Sequence, residues 1–312
     1  MEYILLIIGF VLLIKGADFF VDGASSIAAK LRVPSLIIGL TVVSMGTSMP
    51  EAAVSVSASL SGNNGISLGN VVGSNLFNLL VVVGVSSVIL PIATDADVVK
   101  RDMPISILIT AILCAMLMDG NLSRLDALIL LVLLAAYMYL LLRSALKNRT
   151  EESDQKVMTW TKSILVSVVG AAAIIAGGQI VVENAKIIAA SLGMSETLIG
   201  LTVVAFGTSL PELVTSVVAA KKGDSGIAMG NVVGSNIFNV LFILGLAGVI
   251  SPMTADAVFF IDTGILIAVS VMMLIFAWTD RKISRVEGAV STMVYLAYTA
   301  YIIMRAFHIW IF

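Results

Sequence analysis

The sequence predicts an all-α integral membrane protein: ten transmembrane helices in two inverted-topology five-helix repeats. Three observations carry that prediction. Of the 312 residues, 59% are hydrophobic and 12% charged, a mean hydropathy of +1.07 that no water-soluble domain of this size sustains. Apolar runs of roughly 18 to 32 residues, each long enough to cross the hydrocarbon core, follow one another along the chain. Residues of the first half return in the second at one constant offset.

The runs fall at 3–28, 33–60, 65–90, 98–118, 123–145, 159–190, 195–220, 226–250, 257–279 and 286–308. Lys30 and Arg32, then Lys100 and Arg101, then Arg143, Lys147, Arg149, Lys156 and Lys162, then Lys221 and Lys222, then Arg281, Lys282 and Arg285 all follow odd-numbered helices. The opposite side carries only Arg124, Lys186 and Arg305. By the positive-inside rule both termini are extracellular and the basic loops face the cytoplasm, which places a multi-pass protein in the cell membrane with the lipid bilayer as its standing partner. Glu2 and no basic region precede the first apolar run, so the first helix is expected to be retained. Lys15 and Asp18, three apart in that helix, are expected to form an ion pair. Asp95 and Asp256 precede the fourth and ninth helices as end caps.

The offset is 161. It carries "GNVVGSNLFN" (Gly69 to Asn78) onto "GNVVGSNIFN" (Gly230 to Asn239), and it carries Gly16 to Gly177, Gly39 to Gly200, Thr47 to Thr208, Glu51 to Glu212, Pro91 to Pro252 and Asp95 to Asp256. Each half holds five helices, an odd number, so the two copies enter the membrane in opposite directions. Many secondary transporters are built this way, with the site near the midplane between the halves. The polar stretch "KNRTEESDQK" (Lys147 to Lys156) divides the chain into a first repeat at 1–146, a cytoplasmic linker at 147–158 and a second repeat at 159–312.

The chemistry lies in "MGTSMPE" (Met45 to Glu51) and its copy ending at Glu212. Pro50 and Pro211 have no amide hydrogen, so the carbonyls of Gly46 and Gly207 lose their helical partners and become potential ligands. Thr47 and Glu51 are four apart, as are Thr208 and Glu212, so hydroxyl and carboxylate are expected on one helix face within each copy. Ser74 and Asn78, with Ser235 and Asn239, repeat that spacing on the next helix. Gathered at a pseudo-two-fold axis, these groups form an oxygen-only cage suited to Ca²⁺ and equally to Na⁺. Two carboxylates balance one calcium ion or about two sodium ions. A carboxylate at midmembrane depth costs roughly 2.5–3.5 kcal/mol or more, a cost that a symmetric pair beside two prolines is expected to repay in function. Gly69, Gly73, Gly230 and Gly234 allow close helix approach.

Other chemistries fit less well. A net charge of −2 gives no footprint for nucleic acid. A single Cys114 and a single His308 exclude a disulfide framework and a His/Cys metal centre within one chain. They also leave no Ser/His pair for an intramembrane enzyme. A passive cation channel is disfavoured because a closed carboxylate cage binds too tightly for a pore. No cofactor is expected.

The duplicated "GTS-x-PE" and "GN-x-x-GSN" resemble the paired alpha repeats of the calcium/cation antiporter superfamily, in its sodium/calcium exchanger branch, over essentially the whole chain. The resemblance implies an exchanger of Na⁺ for Ca²⁺ that works as a monomer, with ions held by helices 2, 3, 7 and 8 and helices 1 and 6 as a sliding gate. It assigns Glu51 and Glu212 as the shared calcium and sodium carboxylates. Thr47, Ser48, Thr208 and Ser209 supply hydroxyl or carbonyl oxygens, Ser74 and Ser235 hydroxyls, and Ser44 and Ala205 backbone carbonyls. Glu51, Glu212, Thr47 and Thr208 form the calcium set, and Asn78 and Asn239 line the centre. In this resemblance several prokaryotic members and the potassium-dependent exchangers carry an acid where Asn239 stands, animal potassium-independent exchangers carry Asn there, and proton-coupled relatives carry an acid where Gly73 and Gly234 stand. Their absence argues for sodium coupling over K⁺ or H⁺ coupling on the same fold. The large regulatory loop of animal exchangers has no counterpart here, so a bare transport core is expected.

Overall fold

The computed structural model describes residues 1–62, 64–148, 157–194, 205–255 and 257–306. Its helices are α1 (Glu2–Leu31), α2 (Ser35–Thr47 and, beyond a 49° bend, Met49–Leu60), α3 (Gly65–Ile89), α4 (Val98–Asp119), α5 (Arg124–Lys147), α6 (Trp160–Ser191), α7 (Ala205–Thr208 and Leu210–Lys221), α8 (Ser225–Ile250), α9 (Ala257–Thr279) and α10 (Arg285–Arg305). Among the described residues eight helices are long and apolar enough to cross a membrane, and the bent α2 makes a ninth. Residues 195–204 with Gly200, the linker residues 149–156 with Arg149 and Lys156, Asp256 and His308 lie outside the described residues.

Long apolar runs become helices in lipid because a helix satisfies its own backbone groups where no water can. Polar residues mark the ends. Ser123 and Asp126 close a capping box at the start of α5, with Ser123 N donating to Asp126 Oδ2 at 3.0 Å and Asp126 N donating to Ser123 Oγ at 3.2 Å. Ser284 and Glu287, 161 residues later, do the same for α10 at 2.8 and 3.3 Å. Asp95 sits just before the fourth helix as expected, its carbonyl accepting from Val99 N at 3.2 Å. Burial, with Asp97 and Asp224 nearby, raises its carboxyl pKa above the usual range.

α3 and α8 are buried along most of their length, whereas α1, α5, α6, α9 and α10 turn side chains such as Ile7, Leu142, Val168, Ile275 and Leu296 outward. The polar motif helices are therefore central and the exposed apolar faces are available to lipid. α1 and α6 run antiparallel with backbones in contact: a Cβ added at Gly16 would lie 2.9 Å from the Gly170 carbonyl oxygen, and one at Gly170 would lie 2.8 Å from that of Gly16. Two short bridges tie the halves together. β1 (Ile92–Ala93) pairs antiparallel with β4 (Lys282–Ile283), Ile92 opposite Ile283, and β2 (Asn121–Leu122) pairs with β3 (Met253–Thr254), Asn121 opposite Thr254.

One ion pair differs from expectation. Asp18 meets Lys222 at 3.0 Å, and Lys222 also donates to Asp22 at 2.6 Å. Lys222, at the end of α7, reaches α1 from about 200 positions away in the chain, a contact that spacing within α1 cannot reveal.

Candidate ion-binding site

The site forms where the bend of α2 meets that of α7, between α3 and α8. The bend of α2 falls at Ser48, whose φ of −83° and ψ of 8° leave the helix just before Pro50 at the start of the next segment. Ser209 repeats it, with φ −93° and ψ 8°, before Pro211. Proline tolerates the first turn of a helix but not its interior, so each proline converts one helix into two half-helices.

That bend changes the predicted pairing. Thr47 and Glu51 sit on either side of it, and each copy completes itself with groups from the other. Ser48 Oγ donates to Glu212 Oε1 at 2.9 Å, and Ser209 Oγ donates to Glu51 Oε1 at 3.0 Å. Thr47 Oγ1 donates to Asn231 Oδ1 at 2.9 Å. Ser235 Oγ lies 3.5 Å from Glu212 Oε1 and from the Ser44 carbonyl oxygen. Both carboxylates are 1% exposed. Ser44, Thr47, Ser48, Ser74, Asn78, Thr208, Ser209, Ser235 and Asn239 are buried as well. Ala205 opens the described part of α7.

The asparagines organise the centre. Asn78 and Asn239 each begin a π-helical turn, Asn78–Val82 and Asn239–Leu244, a distortion common at functional sites. Asn78 Nδ2 donates to Asn236 Oδ1 at 3.1 Å and Asn239 Nδ2 to Asn75 Oδ1 at 3.0 Å. Asn75 and Asn236 in turn donate to each other's backbone carbonyls at 3.1 and 3.3 Å. Asn70 Nδ2 bonds Ser55 Oγ at 3.0 Å and the Glu51 carbonyl at 3.2 Å, and Asn231 Nδ2 bonds Ser216 Oγ at 2.9 Å and the Glu212 carbonyl at 3.3 Å. Sequence reasoning quoted the motif holding Asn70, Asn75, Asn231 and Asn236 but gave these residues no role. The available signal was the repetition of each asparagine, with Ser55 and Ser216 four residues after the glutamates on the same helix faces.

With donors so disposed, the oxygens left without a hydrogen-bond partner include Glu51 Oε2, Glu212 Oε2, Asn78 Oδ1, Asn239 Oδ1 and Thr208 Oγ1. Four of these form two pairs related by the repeat. A buried acceptor without a partner costs roughly 1–3 kcal/mol, more when charged, so these oxygens call for a donor, a proton or a cation. Among the described residues no group of three or more His, Cys, Asp or Glu forms a metal cluster; two carboxylates and neutral oxygens make up this one, a set suited to hard cations.

Glycines fit the helices around it. A Cβ at Gly230 would come within 2.7 Å of the Leu36 carbonyl oxygen and one at Gly234 within 2.8 Å of the Leu40 carbonyl oxygen, so α8 lies directly against α2. Gly69 and Gly73 depart from the expected close approach: no described atom lies within 4 Å of a Cβ at either, and both line cavities beside α3. The segment that the repeat places opposite them, residues 197–201, is outside the described residues.

Fold and site together define a polytopic helical membrane protein with a buried all-oxygen centre shared by two sequence repeats, the class to which cation antiporters belong. The chain belongs to the sodium/calcium exchanger protein family, whose model matches residues 1–143 and 162–304. It is 38% identical to sodium/calcium exchanger MaX1 of Methanosarcina acetivorans, across 95% of this chain and 97% of that protein. Inner membrane protein YrbG of Escherichia coli is 35% identical, across 88% of each. The solved sodium-calcium exchanger NCX_Mj, soaked with 2.5 mM Na⁺ and 0.1 mM Ca²⁺, matches with a TM-score of 0.85 and 32% identity over 96% of this chain and 97% of that one.

Proposed function

We propose that the protein exchanges Na⁺ for Ca²⁺ across the cell membrane by alternating access, as a monomer of ten spans in two inverted repeats with both termini outside. The unpartnered Glu51 Oε2 and Glu212 Oε2, joined by the Asn78 and Asn239 amide oxygens, carry this reading. Ions of either kind would compete there. Calcium would take both carboxylates with Thr47 and Thr208; sodium would use the same carboxylates with Ser48, Ser209, Ser74, Ser235 and the Ser44 and Ala205 carbonyls. Ser48 and Ser209 hold one oxygen of each carboxylate and leave the other for the ion.

A cavity of about 510 Å³ reaches Ser74 and Thr208 from the side where α3 and α9 begin, which the basic loops make the extracellular side. On the other side Gly230 and Gly234 lie against α2. This arrangement fits an outward-facing state. The contact of α1 with α6 at Gly16 and Gly170 favours their sliding as one body. The inverted repeat then supplies the opposite state by exchanging the roles of its halves.

The test is uptake of radioactive calcium into vesicles of purified protein, loaded with Na⁺ and diluted into Na⁺-free medium. Uptake driven by the outward sodium gradient, and not by K⁺ loading or a pH gradient, supports the reading. Uptake driven only by a proton gradient, or only with K⁺ present, rejects sodium coupling and leaves the cage in place.

A further inference from the structure

Beyond the cage, one pair of charges lines both cavities next to it. Asp262, in the second turn of α9, and Arg305, in the last turn of α10, border the 510 Å³ cavity that touches Ser74 and Thr208 and also the 420 Å³ cavity against Gly69 and Gly73. Arg305 Nη1 donates to Asp262 Oδ1 at 2.9 Å and Nη2 donates to Oδ2 at 2.8 Å, a bidentate pair. Nη1 also reaches the Tyr301 hydroxyl at 3.4 Å, and the guanidinium lies 5.1 Å from that ring's centroid.

The repeat gives this pair a reference. Subtracting 161 carries Asp262 to Arg101 and Arg305 to Ser144. Arg101 Nη1 donates to Ser144 Oγ at 2.7 Å, so both halves clasp the same two helices at the same place. In the first half the Arg101 charge is met from its own helix and the turn before it, by Asp102 at 2.8 Å and Asp97 at 3.2 Å. Only the second half reverses the sign on the earlier helix and sets the balancing charge across the cavity wall. The first-half clasp is a network, with Tyr137 Oη also donating to Asp102 Oδ1 at 3.2 Å and Asn148 Nδ2 to Asp97 Oδ2 at 3.5 Å, and it borders neither of these two cavities. A balanced pair on a cavity that reaches Ser74 and Thr208 does something more: it keeps a guanidinium from repelling cations there.

We propose that Asp262 and Arg305 form an electrostatic filter on the approach to the cage, which sets how well a divalent cation competes with a monovalent one from the side where α10 ends. The inference rests on the exchange reading. Asp262 masks the Arg305 charge. Any imbalance between them acts on an approaching ion in proportion to its valence, so calcium feels it twice as strongly as sodium.

The experiment measures half-saturating calcium and sodium for exchange from each side of the membrane, in vesicles of known orientation. It compares the unsubstituted protein with Asp262→Asn, Arg305→Gln, Arg305→Lys and the Asp262→Asn/Arg305→Gln double variant. Asp262→Asn is expected to raise half-saturating calcium on that side by roughly three- to tenfold, with a sodium shift of about the square root of that factor. Arg305→Gln is expected to lower it, and Arg305→Lys, which keeps the charge, to leave it near the unsubstituted value. The double variant returns to within about twofold, and the shifts shrink as inert salt is added. The opposite side keeps its values throughout. Single variants that shift in the same direction, shifts equal on both sides, or equal values in every protein overturn the filter and leave a helix clasp. Absence of sodium-driven calcium uptake in the unsubstituted protein overturns the exchange reading, and the filter falls with it.

Discussion

Thr47 and Thr208 occupy the same place in the same short motif, yet their surroundings differ. The Thr47 hydroxyl is bonded to Asn231, while Thr208 Oγ1 has no hydrogen-bond partner among the described residues and Thr208 lines a cavity. Around Thr47, Gly230 and Gly234 press α8 against α2; Gly69 and Gly73 line cavities, and the segment that the repeat places opposite them lies outside the described residues. Near-identical local sequence therefore sits in two different sets of described contacts. A protein whose halves exchanged such surroundings would open its centre to each side in turn.

The largest expected effect tests what the halves share. Glu51→Gln and Glu212→Gln should each lower calcium exchange at least about 100-fold, since a unit charge at ligand distance is worth several kcal/mol. The variants should still extract as folded protein in detergent. An active variant of either kind would break the symmetry of the two carboxylates. A middle-sized effect tests where the halves differ. Thr47→Ala strands the Asn231 amide oxygen and should cost about 1–2 kcal/mol, whereas Thr208→Ala breaks no described bond and should stay within about 0.5 kcal/mol. Thermal unfolding of the two variants side by side reads that difference, and equal losses would mean that the copies are alike in solution.

The smallest effect concerns a contact that only one half has. Lys222 ties α7 to Asp18 and Asp22 of α1, and the repeat places Ser61 at the matching position. Lys222→Ser makes the halves alike there. The pair is partly exposed, so its loss should cost at most about 1 kcal/mol and less in high salt. Calcium half-saturation measured from the two sides should become more nearly equal; an unchanged ratio would separate this contact from the preference between states.

Much of this was legible in the chain. Long apolar runs and the basic clusters between them locate helices because those signals act within a few residues. The glutamates stand out because a carboxylate inside an apolar run is costly and here occurs twice. The pairing of Asp18 was misread because its partner Lys222 is remote in sequence. The structural roles of Asn70, Asn75, Asn231 and Asn236 were missed because an amide in a membrane helix has several possible partners.

The sequence alone determined the membrane class, the repeat at 161, the carbonyls freed by the two prolines and the residue types at the centre, since hydropathy and backbone chemistry are local properties. Tertiary structure alone decided that Ser48 serves Glu212 and Ser209 serves Glu51, that Asp262 faces Arg305, and that Thr47 is bonded to Asn231. Those outcomes depend on distances between segments far apart in the chain. Two near-identical motifs carry no information about which groups of the other copy each will meet, and only their packing in three dimensions makes the choice.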